Sequence, residues 1–384
     1  MSTGRPRFEV HKAQKIAAAV LLIFLLQALW LVAHLPLSLS ETRNVMAGKS
    51  LWTPHKLQGT RSPMIPGDSI LTLRCVGLLP AIAQHWQTGR YEFSVYEAPN
   101  RWLVRLPFVA FGVWLGGALW WVARRLFADE GGYVALGLYC FSPPILLASC
   151  TAEPAILASW GLFGLVFTAI GVAHTLYAPP EKWRPRIVLL GVAIGLTAAA
   201  NVSAVAVGMV LAAAFMLYLA PGRRLASLAI LAVSSAVGLL VFLICFGFNT
   251  RDLTAASLLP DAEYLRFTAY RLREFVAVPG GALEIVALLA ALFVFLLWKR
   301  TRYFGNVAPL LVALILPWWP GHFSPSASIQ WTLPFAFVFV GGIYADLLEP
   351  RFFQGRFRKH VAMTSVVLIG ASAVLTLILI MHAS

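Results

Sequence analysis

Charge is the first thing this sequence has little of. Asp, Glu, Lys and Arg make up 12% of its 384 residues, whereas a water-soluble globular chain carries about 25%. Disorder is excluded from the other side, because 59% of the residues are hydrophobic and the mean hydropathy is +0.78, and disorder needs low hydrophobicity. Acids are scarcer than bases, 16 against 30, giving a formal net charge of +14. An excess of that size can signal nucleic acid, but no basic domain exists to present it. Cysteine is also sparse: Cys75, Cys140, Cys150 and Cys245 show no metal-ligand spacing. The eight histidines form no H-E-x-x-H motif, no phosphate-cradling P-loop occurs, and no nucleotide fold is available. His322, beside Trp318, Trp319 and Pro320, reads as an interfacial residue.

What is present is a succession of apolar runs, at 16–37, 103–122, 132–150, 154–177, 187–200, 203–220, 225–248, 282–298, 307–319, 329–347 and 361–381. Eleven spans of about 20 residues use roughly 220 positions and leave no room for a large soluble domain. The expected fold is therefore an all-α polytopic membrane protein of about eleven transmembrane helices, one transmembrane domain over 1–384. The first run follows Arg5, Arg7, Lys12 and Lys15. It is too long for a signal peptide and lacks a clean small-x-small cleavage site, so it reads as an uncleaved signal anchor.

With the N-terminus inside, the inner segments hold 18 of the 30 cations and the far longer outer segments hold 12. The positive-inside rule supports that orientation, with the C-terminus outside. Net charge sorts to +12 within and +2 without, so most of the surplus is an orientation signal and a membrane-surface contact. Residues 69–83 could invert everything downstream if they crossed. They are short and contain Arg74 and Pro80, so an interfacial helix in the first outer loop, 38–102, is expected. The second outer loop is 249–281, and a transporter is disfavoured because no halfway repeat is found.

Charges near the membrane boundary need a reason. Glu41 and Glu153 both fall on the outer side, where two carboxylates can serve as general base and substrate-orienting group. The alternative is that Glu41 pairs locally with Arg43 and that Glu153 caps the fourth span, with Pro154 in the first turn. In the second outer loop a helix over 261–276 would align Arg266, Tyr270 and Arg273 on one stripe, with Ala262, Leu265, Leu272 and Val276 on an apolar face. The two guanidinium groups suit a phosphate. Snorkelling arginines on an ordinary interfacial helix remain the alternative. Cys75 and Cys150 share the outer side and can pair, although sequence does not fix connectivity.

The order of motifs carries a resemblance. Ser40-Glu41-Thr42-Arg43 is followed by Gly48-Lys49-Ser50-Leu51-Trp52-Thr53-Pro54, Gly59-Thr60-Arg61-Ser62-Pro63 and Arg105-Leu106-Pro107. Leu126-Phe127 with Gly131-Gly132, Ser142-Pro143, Thr151-Ala152-Glu153 and Trp331-Thr332-Leu333-Pro334-Phe335 come after. In order and spacing this resembles the glycosyltransferase-C superfamily, in its protein O-mannosyltransferase and aminoarabinose transferase branches. Three positions depart. Ser40 stands where the family has the Asp implicated as catalytic base. Arg61 with one proline replaces Lys-Pro-Pro, and Asn201 follows the fifth span where relatives often place a phosphate-holding Lys.

The resemblance implies a glycosyltransferase that takes a sugar from a polyprenyl-phosphate donor and passes it to a protein, lipid or glycan acceptor on the outer face of a bacterial cytoplasmic membrane. Glu41 and Glu153 would be its catalytic residues, Glu41 as the base and Glu153 orienting the acceptor, and Arg43, Arg61, Arg105, Asn201, Arg266, Tyr270 and Arg273 its substrate contacts. No metal or other cofactor is expected, and no nucleic acid. The alternative that the departures raise is a non-catalytic scaffold that binds lipid phosphate or serves as a subunit of a membrane complex.

Overall fold

A computed structural model describes residues 12–52, 64, 68–86, 98–179, 181, 183–257, 268–319, 327–349 and 356–383. Every regular element among them is helical. In chain order they are α1 (Lys12–His34), α2 (Leu39–Trp52), α3 (Ile70–Trp86), α4 (Ala98–Cys140), α5 (Pro143–Cys150), α6 (Pro154–Thr175), α7 (Arg184–Ala200) and α8 (Val202–Leu219). They continue with α9 (Arg224–Cys245), α10 (Thr250–Ser257), α11 (Thr268–Ala277), α12 (Gly281–Leu297), α13 (Phe304–Ile315), α14 (Ala327–Leu348) and α15 (Arg356–Ala383). A bilayer offers backbone groups no water, so an apolar run must satisfy them within itself, as a helix does.

Each of the eleven apolar runs falls on helix. Among the described residues, seven helices are long and apolar enough to cross a membrane by length and composition. One of the seven, α4, contains two runs. It breaks at Phe127 and Ala128, whose backbone leaves the helical region, Ala128 at φ 59°. The sequence marks the break: Arg124 and Arg125 close the first half and Asp129 and Glu130 open the second, each sign at the helix end its dipole favours. Arg124 Nε donates to Asp129 Oδ1 at 2.5 Å across the turn.

The innermost helices are α6 and α14, and α9 and α15 form the rim. Tyr139, Phe24, Phe108, Phe163, Phe335, Phe339 and Trp331 are fully buried at the centre. The rim displays Leu225, Val233, Leu239 and Leu240 of α9 and Val366, Val367, Val374 and Leu377 of α15. Apolar exposure on this scale is unfavourable in water and comfortable in lipid, and the chain is an integral membrane protein.

The segment expected at the interface forms the helix α3, which packs against α2. The two backbones meet at Gly48 and Gly77, where a Cβ added to Gly77 would lie 2.5 Å from the Gly48 carbonyl oxygen. Arg74, the charge that argued against a crossing, donates from Nε to the Cys245 carbonyl at 3.1 Å and from Nη1 to the Leu51 carbonyl at 3.3 Å. Its guanidinium also lies over the Trp52 ring. The helix expected over 261–276 is described from Thr268. Its buried residue is Phe275, while Leu272 and Val276 are exposed.

Candidate functional site

The first turn of α2 is built by a reciprocal cap. Ser38 Oγ accepts the Glu41 amide at 3.1 Å and Glu41 Oε2 accepts the Ser38 amide at 2.9 Å, which is the capping box written by Ser38-Leu39-Ser40-Glu41. Glu41 is only 1% exposed. Arg105 of α4, equally buried, grips it through two bonds, Nε to Oε1 at 2.8 Å and Nη2 to Oε2 at 2.7 Å. The guanidinium also donates to the carbonyls of Leu35 and Pro36, both at 2.8 Å. The amide of Ala152 completes the carboxylate, donating to Oε1 at 2.8 Å.

Burial alone would raise the Glu41 pKa. The Arg105 pair and the two amides outweigh it and hold the carboxyl below its ordinary value. Glu41 therefore joins the end of α1, α2, α4 and the α5–α6 turn, with each of its oxygens accepting two bonds. Neither the local Glu41–Arg43 pair nor an Arg105 free to meet substrate occurs. Arg43 turns the other way, to Asp68 Oδ1 and Oδ2 at 2.6 and 2.5 Å.

Glu153 sits in the turn that Glu41 holds. It occupies the cap position of α6 in extended conformation, φ −122° and ψ 158°, yet its side chain makes no cap. Instead Ser40 Oγ donates to its Oε1 at 2.6 Å, and Ser38 Oγ lies 2.8 Å from Ser40 Oγ. Asn44 Nδ2 ties the same turn to α2 through the Ala152 carbonyl at 3.0 Å. Ser40 is exposed and Glu153 half-buried. Two neighbouring carboxylates thus divide: one is enclosed and saturated, the other is presented with a serine beside it.

The remaining candidates disperse. Asn201 is buried and caps α8, its Oδ1 accepting the Ala204 amide at 2.9 Å. Arg273 is exposed on α11. Arg61, Arg266, His322 and the side chain of Tyr270 lie outside the described residues. All four cysteines are free, with Cys150 donating to the Ala28 carbonyl at 3.4 Å, so Cys75 and Cys150 are not bridged. Sequence reasoning missed Ser38, whose spacing to Glu41 was a readable signal. It also missed Glu284, a carboxylate in the first turn of the apolar helix α12.

No family model and no curated protein matches the sequence, but solved structures share its fold. ArnT from Cupriavidus metallidurans in the apo state is similar with a TM-score of 0.66 and 13% identity, over 96% of this chain and 75% of that one. The same protein bound to undecaprenyl phosphate gives 0.63 and 14%, over 96% and 75%. Archaeal oligosaccharyltransferase AglB from Archaeoglobus fulgidus, in complex with an inhibitory peptide and a dolichol-phosphate, gives 0.53 and 14%, over 94% of this chain and 55% of that one. The chain therefore spans little more than half of AglB. Likeness at these identities is likeness of fold alone.

Proposed function

We propose that the chain is a membrane glycosyltransferase that transfers a sugar from a polyprenyl-phosphate donor to an acceptor hydroxyl on the outer face of a bacterial cytoplasmic membrane, with about eleven crossings. Glu153, steadied by Ser40, is the base. The Glu41–Arg105 pair acts on it as a positioning unit by holding the Ala152 amide. The observation that carries this reading is the contrast between the two carboxylates. Only Glu153 has an oxygen outside the Ser40 bond that can take a proton.

In the transfer, the acceptor oxygen attacks the anomeric carbon and gives its proton to Glu153 Oε2. The bond from that carbon to the phosphate oxygen breaks, leaving its electron pair on the phosphate. Cations must stabilise that growing charge, and Arg43, Arg61, Arg266 and Arg273 are the outward candidates, with Tyr270 alongside. The neighbours support the donor class, since one holds undecaprenyl phosphate and another dolichol-phosphate.

The test is donor consumption by membranes, with the natural lipid-linked sugar identified by mass spectrometry of lipid that co-purifies. Glu153→Gln should abolish consumption while leaving the melting temperature within a degree or two of wild type. Full activity in that variant refutes the base assignment. A second reading, a non-catalytic lipid-phosphate scaffold or complex subunit, is favoured by Ser40 at the Asp position and by the saturation of Glu41. Its signature is wild-type protein that binds donor lipid and never consumes it.

A further inference from the structure

A second polar feature lies away from the Glu153 turn. Glu284 is 7% exposed, in the first turn of α12. Its Oε1 accepts a 2.5 Å bond from Ser142 Oγ, the side chain that caps α5, while Oε2 is buried with no hydrogen-bond partner. The contact is built by the chain leading into it. Gly280 turns at φ +86° directly against Pro143, where an added Cβ would lie 2.7 Å from the ring. That turn seats the start of α12 on the start of α5.

Glu284 lines a cavity of about 490 Å³ whose wall is otherwise almost wholly apolar, including Phe275, Leu288, Leu314, Trp318, Ala336 and Leu368. The size falls within the range of small-molecule sites. Leu289, Leu314 and Trp318 are exposed at its edge, so its mouth opens among the lipid-facing side chains. No Lys or Arg lines it among the described residues. A buried polar atom without a partner costs free energy, and a ligand supplying one is favoured accordingly.

We propose that this cavity binds a lipid alcohol: a hydrocarbon body in the apolar chamber and one hydroxyl on Glu284 Oε2. A hydroxyl both donates and accepts, so it satisfies that oxygen whether or not the carboxyl carries a proton. A phosphate head is disfavoured by the carboxylate and finds no cation among the described lining residues. The site is thus distinct from one that holds a lipid phosphate, and the inference stands apart from the transferase reading.

The experiment is saturable binding of tritiated dodecan-1-ol to the full chain held in amphipol, without a bilayer to absorb the probe. Unlabelled dodecan-1-ol should compete about tenfold better than dodecane, the worth of one hydrogen bond to a carboxyl, and dodecyl phosphate should not compete. Glu284→Leu should weaken binding by the same factor while retaining the wild-type melting profile. Equal competition by dodecane, strong competition by dodecyl phosphate, or unchanged binding in a folded Glu284→Leu variant each overturns the proposal. If that variant does not fold, the competition series on wild-type protein decides alone. Donor-lipid consumption plays no part in any arm, so the two readings fail separately.

Discussion

At the scale of single residues, the Glu41–Arg105 pair is held by opposite charges that each lack water. Removing one partner of a buried pair leaves the other uncompensated, at a cost of about 3–5 kcal/mol. Glu41→Gln and Arg105→Met should each lower the melting temperature strongly. The joint replacement Glu41→Leu with Arg105→Met should cost less than the sum, and a double-mutant thermal series reads the coupling. The sign of the pH dependence follows from the lowered carboxyl. Its stabilisation is complete above the ordinary value of 4.5 and is lost as pH falls through the lower folded value. Melting followed from neutral pH downward should therefore show a fall below 4.5 that Glu41→Gln lacks. Sequence placed Glu41 and Glu153 at one membrane face and gave the base role to Glu41, a role that the proposed reading transfers to Glu153. The division depends on Arg105, 64 residues away in the chain, and on a backbone amide in a turn. Asn201 shows a similar limit: its place after the fifth span, where relatives often put a phosphate-holding Lys, suggests a substrate contact, and in the structure its side chain caps the start of α8.

At the scale of elements, helix existence was legible because an apolar run of this length has only one way to satisfy its backbone in lipid. The close crossings were not, because they depend on which glycine faces which. Gly48 and Gly77 let α2 and α3 approach until backbone touches backbone, and a side chain at either position forces them apart. Gly77→Leu should release α3 from α2, seen as a lower melting temperature and faster proteolysis of the chain. Gly280→Ala acts differently. It meets both a left-handed backbone and the Pro143 ring, so it should separate Glu284 from Ser142 and lower dodecan-1-ol binding, while Glu153-dependent donor consumption persists.

At the scale of the whole molecule, the charge imbalance becomes a statement about sidedness, and α3 is where it can fail. The helix has 17 residues, about 26 Å, against a hydrocarbon core of about 30 Å. Its contacts give a stronger reason than its length. Ser69 Oγ, just before it, donates to the Ala199 carbonyl at the end of α7, and Arg74 reaches the Cys245 carbonyl at the end of α9. Alternation of α7, α8 and α9 puts those two ends on one face, so the first turns of α3 run along that face instead of descending through the bundle. Single cysteines in a cysteine-free background test the consequence. Leu39→Cys, at a site 92% exposed, should react with a membrane-impermeant maleimide in intact cells. Ala178→Cys, in the turn after α6, should react only after permeabilisation. If α3 crossed, every later loop would change sides and both positions would label from outside. That outcome would place 14 downstream cations outside against 7 retained within, contrary to the bias that orients membrane chains, and would move Glu153 to the face opposite Glu41, a separation that the Glu41–Ala152 bond does not permit.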